Sequence, residues 1–225
     1  MTRYLLATVS ALALSSAAVA QETDSWTGPY IGLNGGVGWI NTNVFVTQVP
    51  LVPSTPEQAN LSAAGATFGG QIGYNWQMQG LVLGAEADIN WVGARAFVSQ
   101  PMPGGFPPNS TFTSNLHWLA TIRGRVGMAM SPTLLYVTGG VAFGGLENTA
   151  VAFAGHTFTT GSETRTGWTA GGGIEHMFNP RWSMKAEVLY VDFGTRTVTD
   201  GQALGYTGRF RNNAVVGRVG VNLRW

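Results

Sequence analysis

Apolar and polar residues alternate along this chain with a period of two, and that rhythm narrows the possible folds more than any single residue does. Neighbouring residues of a β-strand point to opposite faces, so sustained alternation describes a strand whose two sides meet different surroundings. Eight stretches carry the pattern, roughly Tyr30–Asn43, Thr67–Gln77, Leu81–Phe97, Phe112–Met130, Leu134–Leu146, Arg165–Phe178, Trp182–Phe193 and Asn213–Trp225. Along the fourth, Trp118, Ala120, Ile122, Gly124, Val126, Met128 and Met130 share one parity. His117, Thr121, Arg123, Arg125 and Gly127 share the other, with Leu119 as the exception. The eighth sets Val215, Val219, Val221, Leu223 and Trp225 against Arg218, Asn222 and Arg224. In the third, Leu83, Ala85, Ala87, Ile89 and Trp91 oppose Glu86, Asp88 and Asn90. A helical period would scatter these residues around an axis.

The connections alternate as well. Gln77–Gly80, Ser131–Thr133 and Asn179–Arg181 are very short, whereas about Val44–Ala66, Val98–Thr111, Glu147–Thr164 and Gly194–Arg209 are long. None of the 10 prolines interrupts a strand interior, as befits a residue that cannot donate to a central ladder. The expected fold is all-β: an eight-stranded antiparallel up-and-down transmembrane β-barrel. Its short turns are expected to be periplasmic, its long loops extracellular, and both termini periplasmic.

Tryptophan supplies the scale. Threaded up and down, the chain brings Trp39, Trp91, Trp118 and Trp168 to the long-loop end, and Trp76, Trp182 and Trp225 to the short-turn end. All seven lie on the apolar parity. An indole prefers the boundary between lipid tails and headgroups, so two rings of Trp are expected to mark two membrane interfaces. Trp168 and Phe178 stand ten positions apart; at about 3.3 Å per residue and about 40° of tilt that spans roughly 25 Å, the height of an apolar band.

Composition fits a chain that meets more than water. Only 10% of residues are charged, 12 Lys plus Arg and 11 Asp plus Glu, against about 25% in an ordinary soluble domain. The net charge of +1 gives a nucleic acid no footing, and with no cysteine there is neither a disulfide framework nor a thiolate centre. Residues 1–20 read as a cleaved signal peptide: Arg3, a mostly apolar run from Leu5 to Val19, then the small-x-small close Ala18-Val19-Ala20. Residues 21–225 are expected to form the barrel domain, located in the outer membrane of a Gram-negative cell.

With apolar residues facing lipid, the charges face the lumen. By parity these are Glu86, Asp88, Glu175 and Glu187 with Arg123, Arg125, Lys185, Arg218 and Arg224. Two roles are open for them: an ion-pair network that fills and staples the barrel, or a selective pore or proton path. Eight strands enclose a space about wide enough for side chains alone, which favours the staple. Gly69, Gly73, Gly171 and Gly173 are read as room for large neighbours, or as the walls of narrow water cavities. No catalytic or metal site is expected, because His117, His156 and His176 have no partners at a triad spacing and Glu175 and His176 point to opposite faces. His156, within Phe153-Ala154-Gly155-His156-Thr157-Phe158, is the one candidate ligand for an iron porphyrin, against the plainer reading of a solvated loop histidine.

Several segments carry a family likeness. Trp26-Thr27-Gly28-Pro29-Tyr30-Ile31-Gly32-Leu33-Asn34-Gly35-Gly36 resembles the first strand of small outer-membrane β-barrel proteins of the opacity-like surface-antigen type, eight-stranded barrels akin to OmpA and OmpX. Phe68-Gly69-Gly70-Gln71-Ile72-Gly73-Tyr74-Asn75-Trp76 and Leu135-Tyr136-Val137-Thr138-Gly139-Gly140-Val141-Ala142 resemble their second and fifth strands. Gly167-Trp168-Thr169-Ala170-Gly171-Gly172-Gly173-Ile174-Glu175 and Lys185-Ala186-Glu187-Val188-Leu189-Tyr190-Val191-Asp192 resemble the sixth and seventh. The resemblance implies a non-enzymatic surface protein that stabilises the envelope and exposes loops, with haem or another ligand captured by the loops, or a narrow channel, as alternatives. It implies no resident cofactor. Expected partners are outer-membrane lipid and lipopolysaccharide, periplasmic chaperones and the barrel-assembly machinery, the barrel itself acting as a monomer. Val221-Asn222-Leu223-Arg224-Trp225 is similar to the terminal signal which that machinery reads, with Val221, Leu223 and Trp225 as its apolar positions. Deleting Trp225 is expected to lower the level of barrel in outer-membrane fractions, measured by immunoblot, while refolding of the pure protein in detergent is largely retained.

Overall fold

The computed structural model describes residues 26–47, 57–99, 111–151, 157–199 and 207–225. The strands are β1 (Gly28–Thr47), β2 (Glu57–Met78), β3 (Leu81–Ser99), β4 (Thr111–Met130), β5 (Thr133–Val151), β6 (Thr157–Asn179), β7 (Trp182–Thr199) and β8 (Thr207–Arg224). Each pairs antiparallel with its neighbours in chain order, and β8 pairs with β1 from Tyr30↔Arg224 to Thr47↔Thr207, so the sheet closes into a barrel. Closure leaves no open edge, the condition a sheet has to meet where no water can satisfy its backbone groups.

The strands run further than the alternation alone indicates. Much of the stretch expected as the first long loop is ladder, with Val44↔Ala59 and Ile40↔Ala63 paired between β1 and β2. β5 and β6 likewise pair up to Val151↔Thr157, and β7 and β8 up to Thr199↔Thr207. Strands of 18 to 23 residues rise roughly 45–58 Å at about 40° of tilt, well beyond an apolar band of about 25 Å. Past that band both faces of the wall meet water and the two-residue contrast fades, although the backbone pairing continues. Residues 1–20, expected as the signal peptide, lie outside the described residues.

Within the band the two faces separate sharply. Ile31, Leu33, Phe68, Ile72, Ile89, Ile122, Met128, Val137, Val188 and Val219 are exposed on the outer face. Trp39, Trp91 and Trp168 are exposed at the long-loop end, and Trp76, Trp182 and Trp225 at the short-turn end. Trp118 is half-buried opposite Trp91.

The inner face is layered, with apolar residues below and above the charges that the alternation places inside. Near the short-turn end Trp26, Val82, Leu134, Tyr136 and Met177 form an apolar base. The charged residues follow. Beyond them Ile40, Val92, Ala94, Leu116, Leu119, Ala142, Leu146, Leu189, Val191, Phe193, Ala214 and Val216 form a second apolar layer across the lumen. Leu119 is therefore a member of the inner face. The pairing of β4 with β5 shifts between Leu116 and Trp118. His117 is the extra residue of that bulge, which turns both Leu116 and Leu119 inward and leaves His117 half-buried.

Inward glycines make room for this packing. A Cβ on Gly73 would collide with the Tyr30 ring, one on Gly173 with the Tyr136 hydroxyl, one on Gly171 with Leu189 and one on Gly69 with Asn90. On the outer face, a Cβ on Gly70 would meet the Gly32 carbonyl at 3.6 Å, an ordinary contact. Gly73→Val is expected to abolish the heat-modifiable gel shift of the folded barrel, whereas Gly70→Ala is expected to refold with the wild-type yield.

Candidate functional site

The site is the lumen between the two apolar layers. Glu86, Asp88, Arg123, Arg125, Glu175, Lys185, Glu187, Arg218 and Arg224 are all buried inside the barrel. They come from β3, β4, β6, β7 and β8, because an alternating strand delivers every second side chain to the interior and tilt lets distant strands meet there.

Arg123 is the centre of one half. Its Nη2 donates to Glu86 and, at 3.0 Å, to Asp88; its Nη1 donates to Glu187 at 3.0 Å. Nε donates to Thr121 at 2.8 Å, and the Thr121 hydroxyl donates to Asp88. Arg218 reaches the same carboxylates from β8, with Nε 2.9 Å from Glu187 and Nη1 3.0 Å from Asp88. Lys185 Nζ lies 2.7 Å from each oxygen of Glu86, and the Tyr30 hydroxyl donates to Glu86 at 2.7 Å. Each carboxylate thus accepts from at least two donors, the condition under which a buried ion pair recovers its desolvation cost.

The half nearer the short-turn end is organised around Arg125. Its guanidinium lies between two aromatic rings, 5.2 Å from the centroid of Tyr30 and 4.9 Å from that of Tyr136. Nη2 donates to Glu175 at 3.0 Å and Nε to Asn75 at 2.8 Å. Ser183 and Asn222 donate to the other oxygen of Glu175 at 2.6 and 2.8 Å. Asn222 accepts in turn from Gln71 at 2.8 Å, and Gln71 accepts from Asn34. Arg224 lies in the apolar base, its guanidinium 4.7 Å over the Trp26 ring. Four cations, Arg123, Arg125, Lys185 and Arg218, therefore face four carboxylates between the layers.

Several participants have no charge and no mark in the sequence. Tyr30, Tyr136, Gln71, Asn75, Asn222 and Thr121 all bond to the network, and their inward parity was the available signal. Trp26, the eighth tryptophan, is buried in the base and donates its backbone N–H to Gln77 at 2.7 Å.

The histidines stay apart from this centre. His117 Nε2 lies 3.2 Å from Glu147 at the long-loop end, and the exposed His176 shares a hydrogen bond with the Thr133 hydroxyl at 2.9 Å. His156, the haem candidate, lies outside the described residues. Among the described residues no group of His, Cys, Asp and Glu has the arrangement to hold a metal ion. Chemically the lumen can hold strands together, and with each carboxylate occupied it offers no group poised to react.

A family model described as outer membrane protein beta-barrel domain matches residues 6–222. The 31 kDa outer-membrane immunogenic protein of Brucella melitensis is 30% identical over 100% of both chains. The 22 kDa outer membrane protein of Rhizobium leguminosarum is 31% identical over 57% of this chain and 54% of its own. The crystal structure of OprG from Pseudomonas aeruginosa covers 91% of this chain and 99% of its own at a TM-score of 0.50 and 10% identity, a likeness of fold.

Replacing Arg123 by Met removes the cation shared by three carboxylates. It is expected to destabilise the folded barrel by about 3–5 kcal/mol, read from urea unfolding followed by tryptophan fluorescence. Adding Glu187→Gln is expected to recover part of that loss by restoring the charge balance.

Proposed function

The chain belongs to the family of outer-membrane β-barrel domains, and from that premise we propose that it serves as a sealed structural element of the outer membrane that stabilises the envelope and presents its long-loop end outside the cell. It is an outer-membrane protein and not an enzyme. The observation that carries the proposal is the lumen itself. Four cations bound to four carboxylates lie between two apolar layers, and the layer toward the long loops contains Phe193, Leu116, Leu119 and Leu146. A water-filled path would require ionised groups facing solvent, whereas Arg123, Lys185, Glu175 and Arg218 are at most 4% exposed. That packing favours the sealed reading over the narrow-channel alternative.

Orientation follows from the same premise: short turns and both termini in the periplasm, long loops outside. Beyond the tryptophans of the long-loop end, Arg95, Arg209 and Arg211 are exposed, and Arg211 is steadied by Asp192 at 3.2 Å. Cations at that height suit the phosphates of lipopolysaccharide. At the other end Val221, Leu223 and Trp225 point outward along β8, where the assembly machinery can read them. The barrel needs no second copy to close.

Planar-bilayer recordings of the pure refolded protein are expected to show no conductance steps; resolved steps would overturn the sealed reading. A deletion strain is expected to be more sensitive to bile-salt detergent, with recovery on complementation. Equal sensitivity of deletion and parent strains would count against the structural role.

A further inference from the structure

Beyond the upper apolar layer the inner face turns polar again, and two side chains there are left with unmet hydrogen-bonding capacity. Arg165 on β6 is 8% exposed and Asn212 on β8 is 3% exposed. The Nη2 of Arg165 and both amide atoms of Asn212, Nδ2 and Oδ1, are buried without a hydrogen-bond partner. Other orphan atoms occur in the lumen, the Thr67 hydroxyl among them, and Asn212 differs in having both amide atoms unpartnered. Asn34, Asn75, Asn90 and Arg125 each have one orphan atom but use another in a hydrogen bond. An amide buried with neither end satisfied is costly unless something completes it.

The register brings the two together. Asp192 of β7 pairs with Trp168 on one side and Asn213 on the other. The β7–β8 pairing then shifts, resuming at Thr195↔Arg211. Asn212 faces this irregular stretch of β7, and Arg165 lies on β6 three residues beyond the last β6–β7 pair, toward the same long-loop end. Both lie on the inward parity, Arg165 with Thr169 and Glu175, Asn212 with Ala214 and Arg218. Phe193, from the strand between them, belongs to the apolar floor beneath. At the rim, Arg196 donates to Glu163 at 3.1 Å, and that carboxylate also lies near enough to Arg165 to attract it.

We propose that Arg165 and Asn212 form a binding site, at the long-loop mouth of the barrel, for a small carboxylate that carries a hydroxyl or ammonium donor on the adjacent carbon. The carboxylate accepts from Arg165 Nη2 and Asn212 Nδ2, and the neighbouring donor meets Asn212 Oδ1. A bare carboxylate satisfies only the two donors and leaves the carbonyl oxygen orphaned. A neutral polyol lacks the charge that the guanidinium calls for. The site sits above the sealed lumen and does not depend on which side of the membrane the long loops face.

Three probes of nearly equal size isolate this chemistry: lactate, alanine and propionate differ only in bearing a hydroxyl, an ammonium or a hydrogen beside the carboxylate. Binding to the full-length protein refolded in detergent is followed by ligand-observed NMR. Saturable binding of lactate or alanine is expected, at least about tenfold tighter than that of propionate; which of the two binds more tightly identifies the donor. Arg165→Gln is expected to weaken the tighter ligand about tenfold or more, with the heat-modifiable gel shift retained. Asn212→Leu is expected to remove the preference over propionate. Absence of saturable binding by lactate and alanine, or equal binding of all three, would overturn the site. Because that comparison uses the wild-type protein, it stands even if a variant fails to fold.

Discussion

Every backbone N–H and C=O of this wall needs a partner, because hydrocarbon offers none, and unmet groups there cost several kcal/mol each. The requirement is met by joining β8 to β1, and the rest of the molecule follows from that join. A ring of eight strands encloses a lumen about as wide as its side chains, so the interior has to be packed rather than wetted. Packing with apolar residues alone would erase the contrast between the two faces, and with it the information that fixes register. Charges on the inner parity keep the faces distinct, and between the two apolar layers they are admissible because four cations meet four carboxylates there.

That matching makes the barrel cooperative. Arg218 and Asp88 are 130 residues apart in sequence and 3.0 Å apart in the lumen. Arg123 from β4 meets Glu187 from β7, and Lys185 from β7 meets Glu86 from β3. None of these pairs joins neighbouring strands, so none can form in a hairpin. A partly formed sheet leaves these cross-lumen contacts unmade, and a buried charge that lacks its partners is costlier than one in water. Arg123 with Glu86 and Arg218 with Glu187 already meet between adjacent strands, but the network is complete only in the closed ring, with an apolar layer on either side.

What the sequence revealed follows from the same contrast. Alternation identified eight strands, their faces and the nine inward charges, because lipid outside and packed polar groups inside write opposite preferences on adjacent residues. It ended early at the long-loop end, where Asn41 and Ser62 bond across an outer face that meets water. The upper apolar layer was hidden for a related reason: Leu189, Val191 and Phe193 continue the parity of Lys185 and Glu187, so polarity changes along the strand rather than across it. Leu119 was its one visible trace, disguised by a bulge. Which cation meets which carboxylate depends on barrel tilt, which no local pattern encodes. The mouth pair, Arg165 and Asn212, was unreadable because a residue's unmet bonds are a property of its surroundings.

The seam between the two ends of the chain bears on the timing of folding. Trp225 donates its backbone N–H to Pro29 at 3.4 Å, and Tyr30 stands opposite Arg224. The first strand therefore waits for the eighth, which has to be present before β1 can be paired on both sides. Without that join the sheet is a ribbon with two unpaired margins. A sheet without β8 would keep both margins open, edges that hydrocarbon cannot satisfy.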